Sequence, residues 1–365
     1  MNTMSVTTDK LRIGVIGAGS ISEMHLESYH KHPDAELFAI SDLNLERARG
    51  AADKYGAAHT YADYRELLAN PAVDAVSVCT WNNSHAEIAI AALHAGKHVL
   101  VEKPLCRTME EARRIEEAVR ASGKQLMVGF VRRYDDNAAM IKSFIDGGEF
   151  GEIYYAKTSS IRRLGNPGGW FADVERSGGG PLIDIGVHVI DLIWYFMGRP
   201  KVKSISANTY RKLGARSHIR YLTSYKAADY STERNTVEDM ANALIRFDNG
   251  ASLLVDVSFT LHARKDETTI KLYGDKGGFE LEPETHIVTE KHGVILNSEP
   301  QTNSLSIDVV KAFYNEISHF LSCVRSGEKP ISPVEDGVEM MKMLCGVYES
   351  AAKGEEIHFL EGLPK

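Results

Sequence analysis

Leu11-Arg12-Ile13-Gly14-Val15-Ile16 runs directly into Gly17-Ala18-Gly19-Ser20-Ile21-Ser22, and the reading of this join decides the fold. The first six residues read as a buried strand. Gly17 permits a tight turn, Gly19 lets the backbone approach an anionic group, and Ser20 and Ile21 open a helix that continues to about His30. The free N–H groups and partial positive charge of such a helix N-terminus suit a pyrophosphate. Ser22 stands at the third glycine position of a G-x-G-x-x-G string and is small enough for helix–strand packing. A glycine turn alone is a weak signal. Asp42 strengthens it by closing the next strand about 20 residues beyond Gly19, the spacing of a ribose-binding acid. A carboxylate there accepts hydrogen bonds from ribose hydroxyls and repels a 2′-phosphate, which favours NAD over NADP. Arg47 and Arg49 lie on the helix that follows.

Outward from this join, apolar strands at 37–41, 75–79, 97–101 and 125–130 alternate with helices at 45–55, 84–95 and 109–122. That alternation predicts an α/β domain, a doubly wound parallel Rossmann sheet, over residues 1–130. From 131 to 365 the character changes. A helix near 137–146 is followed by strands of period-two alternation at 153–161, 202–210, 240–247, 251–260 and 268–273. Asp248-Asn249-Gly250 reads as a hairpin turn. Helices near 185–197, 309–325 and 333–353 are expected to cover this second sheet.

The chain has 365 residues and a formal charge of −8, which argues against a constitutive nucleic-acid or anionic-membrane binder. Cys79, Cys106, Cys323 and Cys345 form no C-x-x-C pair and read as reduced thiols. Met1 to Arg12 holds no apolar stretch ahead of a cleavage site, and the most apolar run, Pro181 to Gly198, is broken by Asp184, His188 and Asp191. No leader and no membrane span are expected, hence a cytoplasmic protein.

Two clusters carry chemistry. Glu102-Lys103-Pro104 ends a strand of the parallel sheet, where open α/β sheets bind ligands, and Pro104 restricts Lys103 to an extended backbone. The second cluster is Gly178-Gly179-Gly180-Pro181-Leu182-Ile183-Asp184-Ile185-Gly186-Val187-His188-Val189-Ile190-Asp191. On a helix, Asp184, His188 and Asp191 fall at i, i+4 and i+7 on one face. Ionisable groups inside so apolar a helix are costly unless paired or functional. A buried Asp–His pair and a metal site share this spacing; no third-ligand motif accompanies it, so no metal is expected.

These features together resemble the Gfo/Idh/MocA oxidoreductases, the family of glucose–fructose oxidoreductase and inositol dehydrogenase. The resemblance spans nearly the whole chain. It includes the Gly17–Ser22 turn, Asp42, Thr80-Trp81-Asn82-Asn83-Ser84-His85, Glu102-Lys103-Pro104 and Arg132-Arg133-Tyr134. It continues through Gly178 to Asp191, Val237-Glu238-Asp239, Asp248-Asn249-Gly250-Ala251 and Gly274-Asp275-Lys276-Gly277-Gly278. It implies a Rossmann domain followed by an α/β domain with an open, mostly antiparallel sheet that forms homodimers or homotetramers. It makes Lys103, Asp184 and His188 the catalytic set. It places Thr80, Asn82, His85 and Glu102 beside the nicotinamide and its ribose, and Arg132 beside the substrate. Trp81 departs from the proline often found between Thr and Asn.

The expected reaction moves a hydride between NAD and a secondary carbinol of a sugar or cyclitol. His188 takes the proton, Lys103 stabilises charge on the reacting oxygen, and Asp184 orients His188 or grips a neighbouring hydroxyl. Trp170 is a candidate for stacking on the substrate, and the Tyr210–Val237 stretch is a candidate lid or subunit contact. Two alternatives on the same fold are an NAD-dependent glycosidase acting by transient oxidation and a non-catalytic dinucleotide-binding regulator.

Overall fold

The computed structural model describes residues 10–231, 234–281, 285–301 and 307–359. The leader reading concerns Met1 to Arg12, of which 1–9 lie outside the described residues, as do 232 and 233 of the Tyr210–Val237 stretch. The described chain divides into two compact units. The first holds the residues up to Cys106, Glu110–Val131 and Val309–Gly337; the second holds Arg107–Met109, Arg132–Asp308 and the residues from Val338 onward.

The first unit alternates β1 (Leu11–Ile16), α1 (Ser22–Lys31), β2 (Ala35–Ser41), α2 (Leu45–Tyr55), β3 (His59–Tyr61), α3 (Tyr64–Ala69), β4 (Ala75–Val78), α4 (Asn82–His94), β5 (His98–Glu102), α5 (Met109–Ser122) and β6 (Leu126–Gly129). All strand pairs are parallel and the order is β3-β2-β1-β4-β5-β6. The order reverses between β1 and β4, the switch point at which open sheets of this kind bind ligands. Every residue of β4 and β6 is buried, as a sheet covered on both faces requires. The short β3–α3 pair is absent from the sequence reading because three residues carry too little periodicity.

In the second unit α6 (Asp136–Asp146) leads into β7 (Ile153–Ile161), and a short α7 (Val174–Ser177) precedes a π-helical turn at Leu182–Gly186 that continues as α8 (Val187–Phe196). Then come β8 (Val202–Tyr210), β9 (Met240–Phe247), β10 (Ser252–Ser258), β11 (Glu267–Gly274), β12 (Gly277–Leu281), β13 (His286–Lys291) and β14 (Val294–Ser298). After α9 (Val309–Ser326) and α10 (Val334–Lys353), β15 (Ile357–His358) completes a nine-stranded sheet of order β14-β13-β12-β11-β7-β10-β9-β8-β15. Among the described residues of this sheet, only β7 and β10 pair in parallel. The Asp248–Gly250 hairpin forms as read, with Gly250 at φ +88°. The β13–β14 hairpin escapes the reading because its turn is His292-Gly293, both left-handed, in place of the familiar Asn-Gly. α8 packs against β7 and β11.

One expectation is corrected. The sequence assigns the helix at 309–325 to the second sheet, whereas α9 packs on α1 of the first unit. Val131, Ala312 and Phe313 form a buried cluster there, with Ile21 and Met24 against it. An amphipathic pattern defines a face to bury; it does not name what covers it. Val174–Phe196 is long and apolar enough to span a membrane by composition, yet 83% of its most apolar window is buried inside the fold, as in a core helix. None of the four cysteines is in a disulfide.

Candidate active site

The glycine turn is shaped by what it touches. A Cβ at Gly17, where φ is +95°, would stand 2.6 Å from the carbonyl oxygen of Cys79, so the turn lies against the loop after β4. A Cβ at Gly19 would meet nothing within 4 Å. Gly19 is therefore not demanded by packing, and its open side lies at the start of α1, which has no side-chain cap. Ser20 is exposed, Ile21 is the N-cap, and Ser22 is buried with its hydroxyl donating to the Gly19 carbonyl at 2.6 Å. Asp42 braces the turn: Oδ2 accepts the Ala18 N–H and Oδ1 the Asn44 N–H, each at 2.8 Å. Arg47 reaches Asp42 Oδ2 at 3.7 Å, whereas Arg49 pairs with Glu46. An open glycine, uncapped helix N–H groups and a carboxylate at the end of β2 fit a dinucleotide.

Thr80 is half-buried and its Oγ1 accepts the Ser84 hydroxyl at 2.8 Å; Trp81 is exposed and Asn82 buried. The sequence reading expects His85 and Glu102 in the cofactor lining; in the structure both are buried and hydrogen-bonded within the first unit. His85 is 1% exposed, with Nδ1 2.8 Å from the Pro104 carbonyl and Nε2 3.0 Å from the Thr80 carbonyl. It ties the loops after β4 and β5 together, and burial pulls its pKa down.

Glu102 is buried, its Oε1 2.8 Å from His25 Nε2 and its Oε2 accepting the Lys103 N–H at 3.1 Å. His25 Nδ1 lies 3.2 Å from Ser77 Oγ, which lies 2.7 Å from the Tyr29 hydroxyl. This chain from α1 through β4 to β5 fixes the backbone that presents Lys103, itself half-buried and joined to Pro104 by a cis peptide. Burial pushes the Tyr29 phenol up, so it stays protonated. The sequence reading missed His25. Ser22, His25 and Tyr29 at helical spacing make the inner face of α1 polar, and that stripe was the signal.

In the second unit the three residues anticipated on one face, Asp184, His188 and Asp191, differ in burial. A π turn at Leu182–Gly186 holds Asp184, while His188 and Asp191 follow on the regular α8; π turns recur at functional sites. Through Leu182–Trp194 every residue is buried except Asp184 and His188. Asp191, 1% exposed, is part of a structural pair: its oxygens accept Arg133 Nε at 2.9 Å and Nη2 at 2.6 Å, with the guanidinium 4.7 Å over the Tyr195 ring. Among the described residues no group of three or more His, Cys, Asp or Glu is arranged to hold a metal.

Arg132, in the 3₁₀ turn Val131–Tyr134, lines a small pocket with Asp135, Asn137 and Leu192. Trp170, half-buried, lies 3.9 Å centroid to centroid from Phe171, which meets Tyr225 edge-on. Part of the Tyr210–Val237 stretch is packed here, since Asp229 accepts the Trp170 N–H at 3.0 Å and Ala227 N–H donates to Pro167. Arg216 instead donates to the Arg163 carbonyl at 2.9 Å beside an open cleft lined by Arg220, His218 and Tyr221.

Residues 11–130 match the Gfo/Idh/MocA family model described as oxidoreductase family, NAD-binding Rossmann fold, and 142–359 match its companion, the C-terminal alpha/beta domain. The chain belongs to the Gfo/Idh/MocA oxidoreductases. It is an NAD-binding enzyme of that family, with the parallel sheet and the mostly antiparallel sheet that the family implies. This oxidoreductase is 34% identical over 361 residues to D-glucoside 3-dehydrogenase of Escherichia coli K12, covering 97% of this chain and 99% of that one. It is 30% identical to myo-inositol 2-dehydrogenase of Thermotoga maritima, covering 92% and 94%. Its structure is similar to a levoglucosan dehydrogenase complexed with NADH, with TM-score 0.84, 25% identity and coverage of 96% and 99%.

Proposed function

We propose that this oxidoreductase oxidises a ring secondary alcohol of a sugar, glucosides first, or of a cyclitol, with NAD rather than NADP. The observation that carries the reading is the pair Asp184 and His188, the two residues left accessible in an otherwise buried helical segment. The intact Lys103 and full-length similarity to a glucoside dehydrogenase support it.

Gly17, Gly19, Ser20, Ile21, Asp42, Thr80 and Asn82 would hold NAD, which when bound supplies the hydride acceptor. The chain supplies the rest. His188 removes the hydroxyl proton as the carbinol is oxidised, a general-base role that imidazole commonly fills. The Lys103 ammonium donates a hydrogen bond to the same oxygen and stabilises the negative charge that develops on it. Asp184 orients the imidazole or accepts from an adjacent hydroxyl. Arg132 and Trp170 serve as substrate contacts.

Nicotinamide reduction followed by absorbance across methyl glucosides, aldoses and inositols, with NAD and NADP in parallel, tests the reading. Net reduction of NAD by at least one polyol is expected. Release of free sugar without net reduction would instead indicate a glycosidase, and neither reaction with any compound would remove the catalytic reading.

A further inference from the structure

The function above leaves the glycine run Gly178-Gly179-Gly180 and the acid pair Glu238-Asp239 unused. Pro181, at the first position of the helical segment that carries Asp184 and His188, has no N–H. The donors flanking it belong to Gly180 and Leu182, and both go to one carboxylate. Glu238 Oε2 accepts the Gly180 N–H at 2.9 Å and Oε1 the Leu182 N–H at 3.2 Å. Oε1 also accepts the Tyr348 hydroxyl of α10 at 2.9 Å. Glu238 is 8% exposed and precedes β9, an inner strand of the nine-stranded sheet.

The glycines are shaped to this brace. A Cβ at Gly180 would run into the Glu238 carbonyl and one at Gly179 into the Tyr348 hydroxyl. Gly178, at φ +83°, ends α7. Three donors converge on the carboxylate, and a negative charge at a helix N-terminus is favoured by the helix dipole. Burial pushes the Glu238 acid up against those hydrogen bonds. Burial and the adjacent carboxylate push the Tyr348 phenol well above its usual value, so it remains a neutral donor. The neighbouring Asp239 is committed elsewhere, accepting N–H groups of Lys212, Leu213 and Gly214.

We infer that Glu238, seconded by Tyr348, is a positioning residue: it fixes the start of the π turn and thereby aims Asp184 and His188 without touching substrate. The inference rests on the reading that Asp184 and His188 carry chemistry. A displacement of the reacting groups by about an ångström costs on the order of 100-fold in rate.

The test is a double-mutant cycle, E238Q, H188N and both together, assayed with NAD and methyl β-D-glucopyranoside alongside NADH binding and thermal unfolding. E238Q keeps the shape but turns an amide toward the backbone donors. Its kcat should fall roughly 10- to 100-fold while NADH affinity stays within about twofold. In the H188N background the same change should cost less than about twofold, because the group being aimed is gone. Wild-type kcat in E238Q, or an undiminished loss in the H188N background, would overturn the inference. Should E238Q fail to fold, Y348F carries the test: a several-fold lower kcat at unchanged NADH affinity supports it, and wild-type kcat overturns it. H188N as active as wild type would sink the underlying reading instead, whatever E238Q does.

Discussion

The candidate residues of the two units are held by different means. In the first unit, backbone topology does most of the placing. Lys103 stands where β5 ends, Asp42 where β2 ends, and Gly17 and Gly19 at the β1–α1 turn beside the switch in strand order. Side chains such as His25 and Glu102 then stiffen a placement that the sheet already made. In the second unit, the sheet supplies a platform, and side chains from far along the chain set the helix upon it. Arg133 anchors Asp191 and Glu238 anchors the start of the π turn. The first unit should therefore lose cofactor preference and chemistry one residue at a time. The second should lose geometry and stability together.

The largest effects should come from the reacting groups themselves. Lys103→Ala should lower kcat roughly 100- to 1000-fold, as for loss of one charge-stabilising donor, with NADH affinity little changed. His188→Asn should cost on the order of 100- to 10,000-fold and abolish the rise of the oxidation rate with pH. Steady-state kinetics with NADH titrations check both, and wild-type turnover in either variant removes that residue from the mechanism.

Next comes Asp191→Ala, which leaves the Arg133 guanidinium buried without its carboxylate; both side chains are at most 1% exposed. A loss of about 3–5 kcal/mol in urea unfolding is expected. A loss below about 1 kcal/mol would show that the second unit does not depend on this pair.

A smaller and more local change is expected at Asp42. Asp42→Ala removes the carboxylate that repels a 2′-phosphate and frees the neighbouring Arg47, so the NADP-to-NAD ratio of kcat/KM should rise about tenfold. An unchanged ratio would assign Asp42 to bracing the Ala18 and Asn44 backbone alone.

The smallest effect concerns pH. His32, His85, His98 and His319 of the first unit all have pKa values lowered first of all by burial. Below an unfolded-state value near ~6.5 the unfolded chain binds more protons than the folded one. Their contribution is therefore present above that value and lost as pH falls through it. Melting temperature should drop between pH 7 and pH 5, by about 2–4 °C for each kcal/mol lost. His85→Gln should flatten part of that slope; an unaltered slope would clear His85 of the effect.

How much was legible follows the same division. β1 is read residue for residue, and the glycine turn, Asp42 and Lys103 follow from strand ends and spacing, because a parallel sheet announces itself by local periodicity. Asp184 and His188 stand out as polar residues in an apolar run. The separate fate of Asp191 does not, since it is set by a partner, Arg133, far away in the sequence. His85 and Glu102 are identified as part of the site, yet their burial depends on which carbonyls and histidines meet them across the sheet. His25 and Glu238 act on residues about 60 to 80 positions away, and the place of α9 depends on which surface completes it; periodicity carries no information of that kind.

The most direct measurement follows an isotope. The enzyme is incubated with NAD and methyl glucoside deuterated at every ring carbon, and the reduced nucleotide is analysed by mass spectrometry. Expected is NADH carrying one deuterium, formed more slowly than from the unlabelled sugar and lost with Lys103→Ala and His188→Asn. NADH without the label, or label transfer undiminished in both variants, would contradict hydride abstraction from a ring carbinol by these residues.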